Sequence, residues 1–206
     1  GLFPGRGDTW ARNLIEKGHI SRGEFNFSGH PSSLPLHGSD SFFRLIFDIS
    51  DATLQYSPRW PKATNVGGTV AINDNKTSFI VREGLIQGAT ITAAKVTMPE
   101  TFITRRKVEI AGQARGPGHS IKQVIQNSPL IHGRAARLTD LNIGGNVLLN
   151  INATFPIHKL PPLKGEARKF SGKLKFLENR IGFTDSDLEL ENLKGNVIFE
   201  NSAWRG

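Results

Sequence analysis

The 206-residue chain contains no cysteine, a single methionine (Met98) and a single tyrosine. Without cysteine there is no disulfide scaffold, no thiolate metal site and no cysteine nucleophile. No run of 18 or more apolar residues occurs, which excludes a helical membrane span within these residues. No signal-peptide pattern is visible. Acidic residues are in the minority, 18 against 26 Lys plus Arg, for a formal charge of +8. That balance points to anionic partners, either nucleic acid or phospholipid headgroups. Because the chain starts at Gly1 and its one methionine is internal, it reads as an interior piece of a longer protein.

Motifs that carry chemistry are missing as well. The six histidines are scattered, with no His-Glu-x-x-His and no pair at helical i, i+4 spacing, so no metal site is expected. There is no Gly-x-Ser-x-Gly elbow for a serine hydrolase and no Walker sequence. Gly5-Arg6-Gly7-Asp8 lacks the third glycine and the preceding strand of a dinucleotide loop. Asp185 and Asp187 read as solvated turn residues rather than a catalytic pair. The basic stretches, Arg105-Arg106-Lys107 and 164–175, lack interleaved stacking aromatics, so they read as a solvated face and nucleic acid is not an expected partner. No cofactor is expected.

What the chain does have is Phe and alternation. Thirteen of its seventeen aromatic residues are Phe, which buries apolar area without needing a polar partner. Period-2 patterns recur with turn signals every 8–12 residues, predicting antiparallel meanders. Val147, Leu149, Ile151, Ala153 and Phe155 alternate with Asn146, Leu148, Asn150, Asn152 and Thr154 in the cleanest run. The apolar face of these strands is the candidate site. It comprises Phe43, Leu45, Phe47, Ile49, Val70, Ile72, Phe79 and Val81 in the first part. Val147, Leu149, Ile151, Phe155, Leu188, Leu190, Val197 and Phe199 follow in the second. A turn is expected at Gly67-Gly68 and another at Asn73-Asp74-Asn75-Lys76. Helices are predicted over 10–17, capped by Asp8 or Thr9, and over 120–127, capped by Ser120 and ended by Ser128-Pro129.

Two segments, 65–72 and 192–199, share an Asn, a following glycine and a short strand. This repeat suggests units over 1–140 and 141–206. The expected fold is mostly β: an elongated, strongly curved antiparallel sheet with one or two short helices, or alternatively a β-sandwich. Alternation alone does not separate the two, because a sandwich core would use the same residues.

A further set of residues is ordered along the chain. Trp10 and Leu14 precede Gly18-x-Ile20-x-x-Gly23-x-Phe25-x-Phe27-x-Gly29, then Leu34-Pro35-Leu36, Phe43-x-Leu45-x-Phe47 and Asp51-Ala52-x-Leu54. Tyr56-Ser57-Pro58-Arg59-Trp60-Pro61 follows, then Val66-x-Gly68-x-Val70, Gly112-x-Ala114-x-Gly116-Pro117 and Ser128-Pro129-Leu130. In this order the chain resembles the YhdP-type branch of the AsmA-like family of Gram-negative envelope proteins. The Leu34-Pro35-Leu36 position departs from the more usual Phe-Pro-Phe, and the family's N-terminal membrane helix has no counterpart here.

The resemblance implies a non-enzymatic periplasmic segment of an inner-membrane-anchored protein. Its long apolar β-groove would carry phospholipid between inner and outer membranes and support the outer-membrane barrier. It implies phospholipid acyl chains as partners, with envelope proteins as further ones. An adaptor β-domain without lipid remains the alternative. The physical problem is large: a tail of about sixteen carbons exposed to water costs roughly 12 kcal/mol. A continuous apolar trough removes most of that cost while non-directional contact lets the tail slide.

Overall fold

The computed structural model describes residues 15–30, 41–55, 60–101, 103, 106–128, 140–157, 168–200 and 203–205. These form one antiparallel sheet rather than a sandwich. Its strands are β1 (Ile15–Ser28), β2 (Phe42–Leu54), β3 (Ala63–Asn73), β4 (Lys76–Ile86), β5 (Ala89–Met98) and β6 (Lys107–Pro117). After helix α1 (Gly118–Gln126) come β7 (Leu141–Gly144), β8 (Asn146–Pro156), β9 (Lys169–Phe183), β10 (Ser186–Glu200) and β11 (Ala203–Arg205). The order is β1-β2-β3-β4-β5-β6-β8-β9-β10-β11, with β7 paired to β9 off this path. Among the described residues β1 and β11 do not pair, so the sheet is open and curved rather than closed into a barrel. β6 and β8 pair in continuous register from Lys107↔Pro156 to Pro117↔Asn146.

Directly opposed residues in antiparallel strands share a face. The register therefore assembles lateral rows of side chains. One runs Phe47, Val70, Phe79, Val96, Ile110, Ala153 and Phe170. The next runs Ile49, Gly68, Val81, Ala94, Gly112, Ile151, Gly172 and Phe199. This apolar face is the inner one. The other face carries ion pairs such as Arg180 with Glu191 at 2.7 Å and Lys194 with Glu178 at 2.6 Å.

Curvature comes from β-bulges. Register shifts occur beside Asp51, Asn65, Glu178 and Asn192, and each of these four has φ between 50° and 63°. A bulge places one residue out of the ladder, bends the strand and raises its twist. Asn and Asp tolerate the left-handed conformation better than other side chains. Asn65 and Asn192 are the shared asparagines of the two similar segments, so that local likeness marks equivalent bulges in β3 and β10.

Several sequence expectations are corrected. Gly67-Gly68 is not a turn but lies inside β3. Gly68 faces the β4 backbone so closely that a Cβ would meet the Ile80 carbonyl and lie 2.7 Å from the Phe79 ring. The other expected turn does form, at Asp74-Asn75, where the Asp74 carboxylate accepts from the Phe43 N–H at 2.9 Å. Of the helix expected over 10–17, positions 10–14 and the capping positions 8 and 9 lie outside the described residues, and Ile15, Glu16 and Lys17 are strand. Their pairing with β2 outweighs the i, i+4 pattern.

The second helix forms two residues earlier than expected, with Pro117 rather than Ser120 at its N-cap. Proline suits that boundary because it lacks the N–H a continuing strand would need. Ser128 closes the helix: its hydroxyl donates to the Ile125 carbonyl at 2.8 Å.

Candidate functional site

The inner face holds two buried apolar clusters. The first lies under α1, where Ile121, Val124 and Ile125 pack against Ala89, Ala114, Val147, Leu149 and Leu174. The second lies on β2–β4, around Ile49, Val66, Phe79 and Val81. Between them is an apolar cavity of ≈ 270 Å³. Every strand from β1 to β6, together with β8 and α1, contributes to its wall. Val124 of the helix closes one side.

Of the sequence-predicted residues, Phe47, Ile49, Val70, Ile72, Phe79, Val81, Leu149, Ile151 and Phe155 line this cavity together. Leu45 shares their face through pairing with Ile72, outside the cavity wall. Phe43 is buried at the rim with its ring edge-on to Phe25, centroids 5.6 Å apart. Val147, Val197 and Phe199 belong to the packing beneath α1, away from the cavity. Leu188 and Leu190 sit on the far part of the β9–β10 hairpin and are 56% and 42% exposed, so the fold does not bring them to the others.

The cavity also takes residues that the alternation did not mark. Ile91, Ala94, Val96 and Met98 come from β5. That strand has a bulge between Ile91 and Ala93, which moves the inward parity by one and breaks strict alternation. A phase shift flanked by small residues is the only sequence trace of it. Arg106 departs from the expected solvated face: it lines the cavity, and its Nε is sealed from solvent.

Carboxylates with displaced protonation lie on the polar face. The Thr69 hydroxyl, which donates to Asp48, holds that carboxyl below its ordinary value of 3.8, and the Arg82 guanidinium adds to the effect. The Lys194 ammonium does the same for Glu178, below 4.5. Neither faces the cavity. No group of three or more His, Asp or Glu residues with metal-binding geometry occurs among the described residues. No helix among them is long and apolar enough to cross a membrane. A second, more open depression of ≈ 670 Å³ lies on the polar face between Lys95, Glu109, Lys169 and Glu200. Its charges of both signs favour water over any apolar ligand.

An open, curled antiparallel sheet that is not closed into a barrel defines a protein of groove-like β architecture. The profile of the family described as YhdP protein matches residues 7–205, and the chain belongs to that family. It is similar to the intermembrane phospholipid transporter YhdP of Escherichia coli (strain K12), with 25% identity over 189 residues. Those residues are 91% of this chain and 14% of that protein, so the chain spans about a seventh of its relative's length. No solved structure matches.

Proposed function

We propose that this chain is one segment of a phospholipid path between membranes of a Gram-negative envelope, with acyl chains held in the apolar cavity on its inner face. In the whole protein the segment would lie in the periplasm, and its work would support the outer-membrane barrier. The path works by burial and needs no bond-making step. The observation that supports this reading is the cavity itself: nearly all of its wall is aliphatic or aromatic, in a chain of the YhdP family. A soluble domain rarely leaves so much inward apolar surface unfilled without a ligand to cover it. Loose, non-directional contact suits a lipid in transit, because a lipid in a bilayer is equally shielded and tight binding would stop it.

Photo-cross-linking at two adjacent residues tests the reading. Phe79 faces the cavity and Ile80 faces outward with 51% exposure. With a photoreactive residue at position 79 of the whole protein in cells, phospholipid is expected to attach, and at position 80 it is not. Equal labelling at both, or none at 79, sinks the reading. Protein adducts at 79 in place of lipid would favour an envelope adaptor.

A further inference from the structure

The apolar cavity has a polar corner at one rim, apart from Gln113 further along its wall. Arg106 immediately precedes β6, Thr77 lies at the start of β4, and Thr101 follows β5; all three line the cavity. They share one rim of the sheet. Thr77 pairs with Met98 at the end of β5, and the Arg106 carbonyl accepts from the Ile157 N–H at 3.0 Å just past β8. The Thr101 hydroxyl hydrogen-bonds to that of Thr77 at 2.8 Å, and both residues are buried.

One donor of the Arg106 guanidinium is unsatisfied there. Its Nε is shut off from solvent and has no hydrogen-bond partner among the described residues. No ion pair among those residues involves it. Its neighbour Lys107 is paired with Glu109 on the other face. Among the described residues one other buried side-chain atom is orphaned, the Thr53 hydroxyl, and it does not line the cavity. A buried donor without a partner is costly, and more so on a charged group. A guanidinium offers a planar fork of donors that matches a phosphate better than any other side chain does.

We infer that Arg106 is the anchor for the phosphodiester of a phospholipid whose acyl chains enter the cavity past Val108, Ile110 and Phe79. The inference rests on the reading of the cavity as a lipid path and adds the headgroup to it. The Thr77–Thr101 pair supplies hydroxyls beside the same phosphate. An anion without tails would satisfy the guanidinium but leave the apolar wall uncovered; a neutral lipid would cover the wall but leave Arg106 unpaired. Only an amphiphile that carries an anionic group such as a phosphodiester does both.

The test compares lipids with the same tails, with and without a phosphate-bearing headgroup. The chain is incubated with vesicles of dioleoylphosphatidylglycerol, with dioleoylglycerol in an inert detergent, or with sodium phosphate, and retained ligand is counted by native mass spectrometry. Wild type is expected to retain the phospholipid over the diacylglycerol by about tenfold, equivalent to ~1.4 kcal/mol. Arg106→Gln should keep the diacylglycerol and lose the preference, and Arg106→Lys should keep part of it. Inorganic phosphate should not displace the phospholipid.

Equal retention of both lipids by wild type overturns the anchor while leaving the lipid path standing. So does an unchanged preference in Arg106→Gln, or displacement by phosphate alone. Retention of neither lipid overturns both. The wild-type comparison decides even where a variant does not fold.

Discussion

The indole of Trp60 stacks on the ring of Phe155, with centroids 5.8 Å apart and planes at 27°. Trp60 belongs to the connection from β2 to β3, and Phe155 to β8, with β4, β5 and β6 between them in the sheet. Strands spaced about 4.8 Å apart would put β3 and β8 roughly 19 Å from each other on a flat sheet. The stack therefore records how far the sheet curls around its cavity, which Phe155 itself lines. If it holds that curl, the two residues must be energetically coupled. A double-mutant cycle of Trp60→Leu and Phe155→Leu, read by urea unfolding, is expected to give about 0.5–1.5 kcal/mol. Strict additivity would show that the curl is set elsewhere.

Gly172 and Phe199 are opposed on β9 and β10, and the Phe199 ring lies over the glycine while stacking on Phe170 at 5.0 Å. A Cβ at 172 would run into that ring and into the Asn150 carbonyl. Gly172→Ala should cost about 1–3 kcal/mol by overpacking. Adding Phe199→Leu should recover part of it, leaving the strain against Asn150. Thermal unfolding of the two variants checks this, and a neutral Gly172→Ala would contradict the packing described.

Asn179 is fully buried and joins two strands. Its Nδ2 donates to the Gly144 carbonyl at 2.7 Å, and its Oδ1 accepts from the Leu177 N–H at 2.6 Å. It thereby ties the end of β7 to β9 beside Gly145, whose φ is +80°. Asn179→Ala should orphan both backbone groups at about 1–3 kcal/mol each. Faster hydrogen exchange at the Leu177 amide should accompany the loss. Slow exchange there in the variant would mean another group replaces the asparagine.

Asp48 and Glu178 make stability depend on pH on the acid side. Both carboxyls are held below their ordinary values of 3.8 and 4.5, by the Thr69 hydroxyl with Arg82 and by Lys194 respectively. The folded chain therefore binds fewer protons than the unfolded chain near those values. Their contribution is complete above the unfolded values and is lost as pH falls through the lower folded ones. Urea midpoints measured from neutral pH down to about pH 3 should fall less steeply in Asp48→Asn/Glu178→Gln than in wild type. Parallel curves would remove these pairs as a source of acid sensitivity.

Much of the site was legible in the alternation because side-chain period is a local property of a strand. Phe47, Ile49, Val70, Phe79, Val81, Leu149 and Ile151 converge on one cavity wherever the strands keep that period. β5 escaped notice because its bulge interrupts the period and Ala89, Ala93 and Ala94 dilute the apolar signal. Leu188 and Leu190 alternate as cleanly as the rest, yet the β9–β10 hairpin carries them past the end of β8 into solvent. Nothing near them in the chain signals how far a partner strand extends. Arg106 sits in a run of three basic residues that reads as solvated. Its place on the cavity wall is shared with Phe155 and Ile157, some fifty positions downstream, and its carbonyl accepts from the Ile157 N–H.

By itself, the sequence determined an all but helix-free meander with one apolar and one polar face, its hairpin at Asp74-Asn75, and its membership of the YhdP family. These follow from neighbour-to-neighbour chemistry: alternation, turn residues and the order of short motifs. Only the tertiary structure decided that the apolar face curls into a cavity rather than packing on a second sheet. It also decided that Trp60 reaches Phe155 and that Arg106 is turned inward. The physical reason is that curl is the sum of small twists and bulges over many strands, and contacts across the trough exist only once that sum is complete.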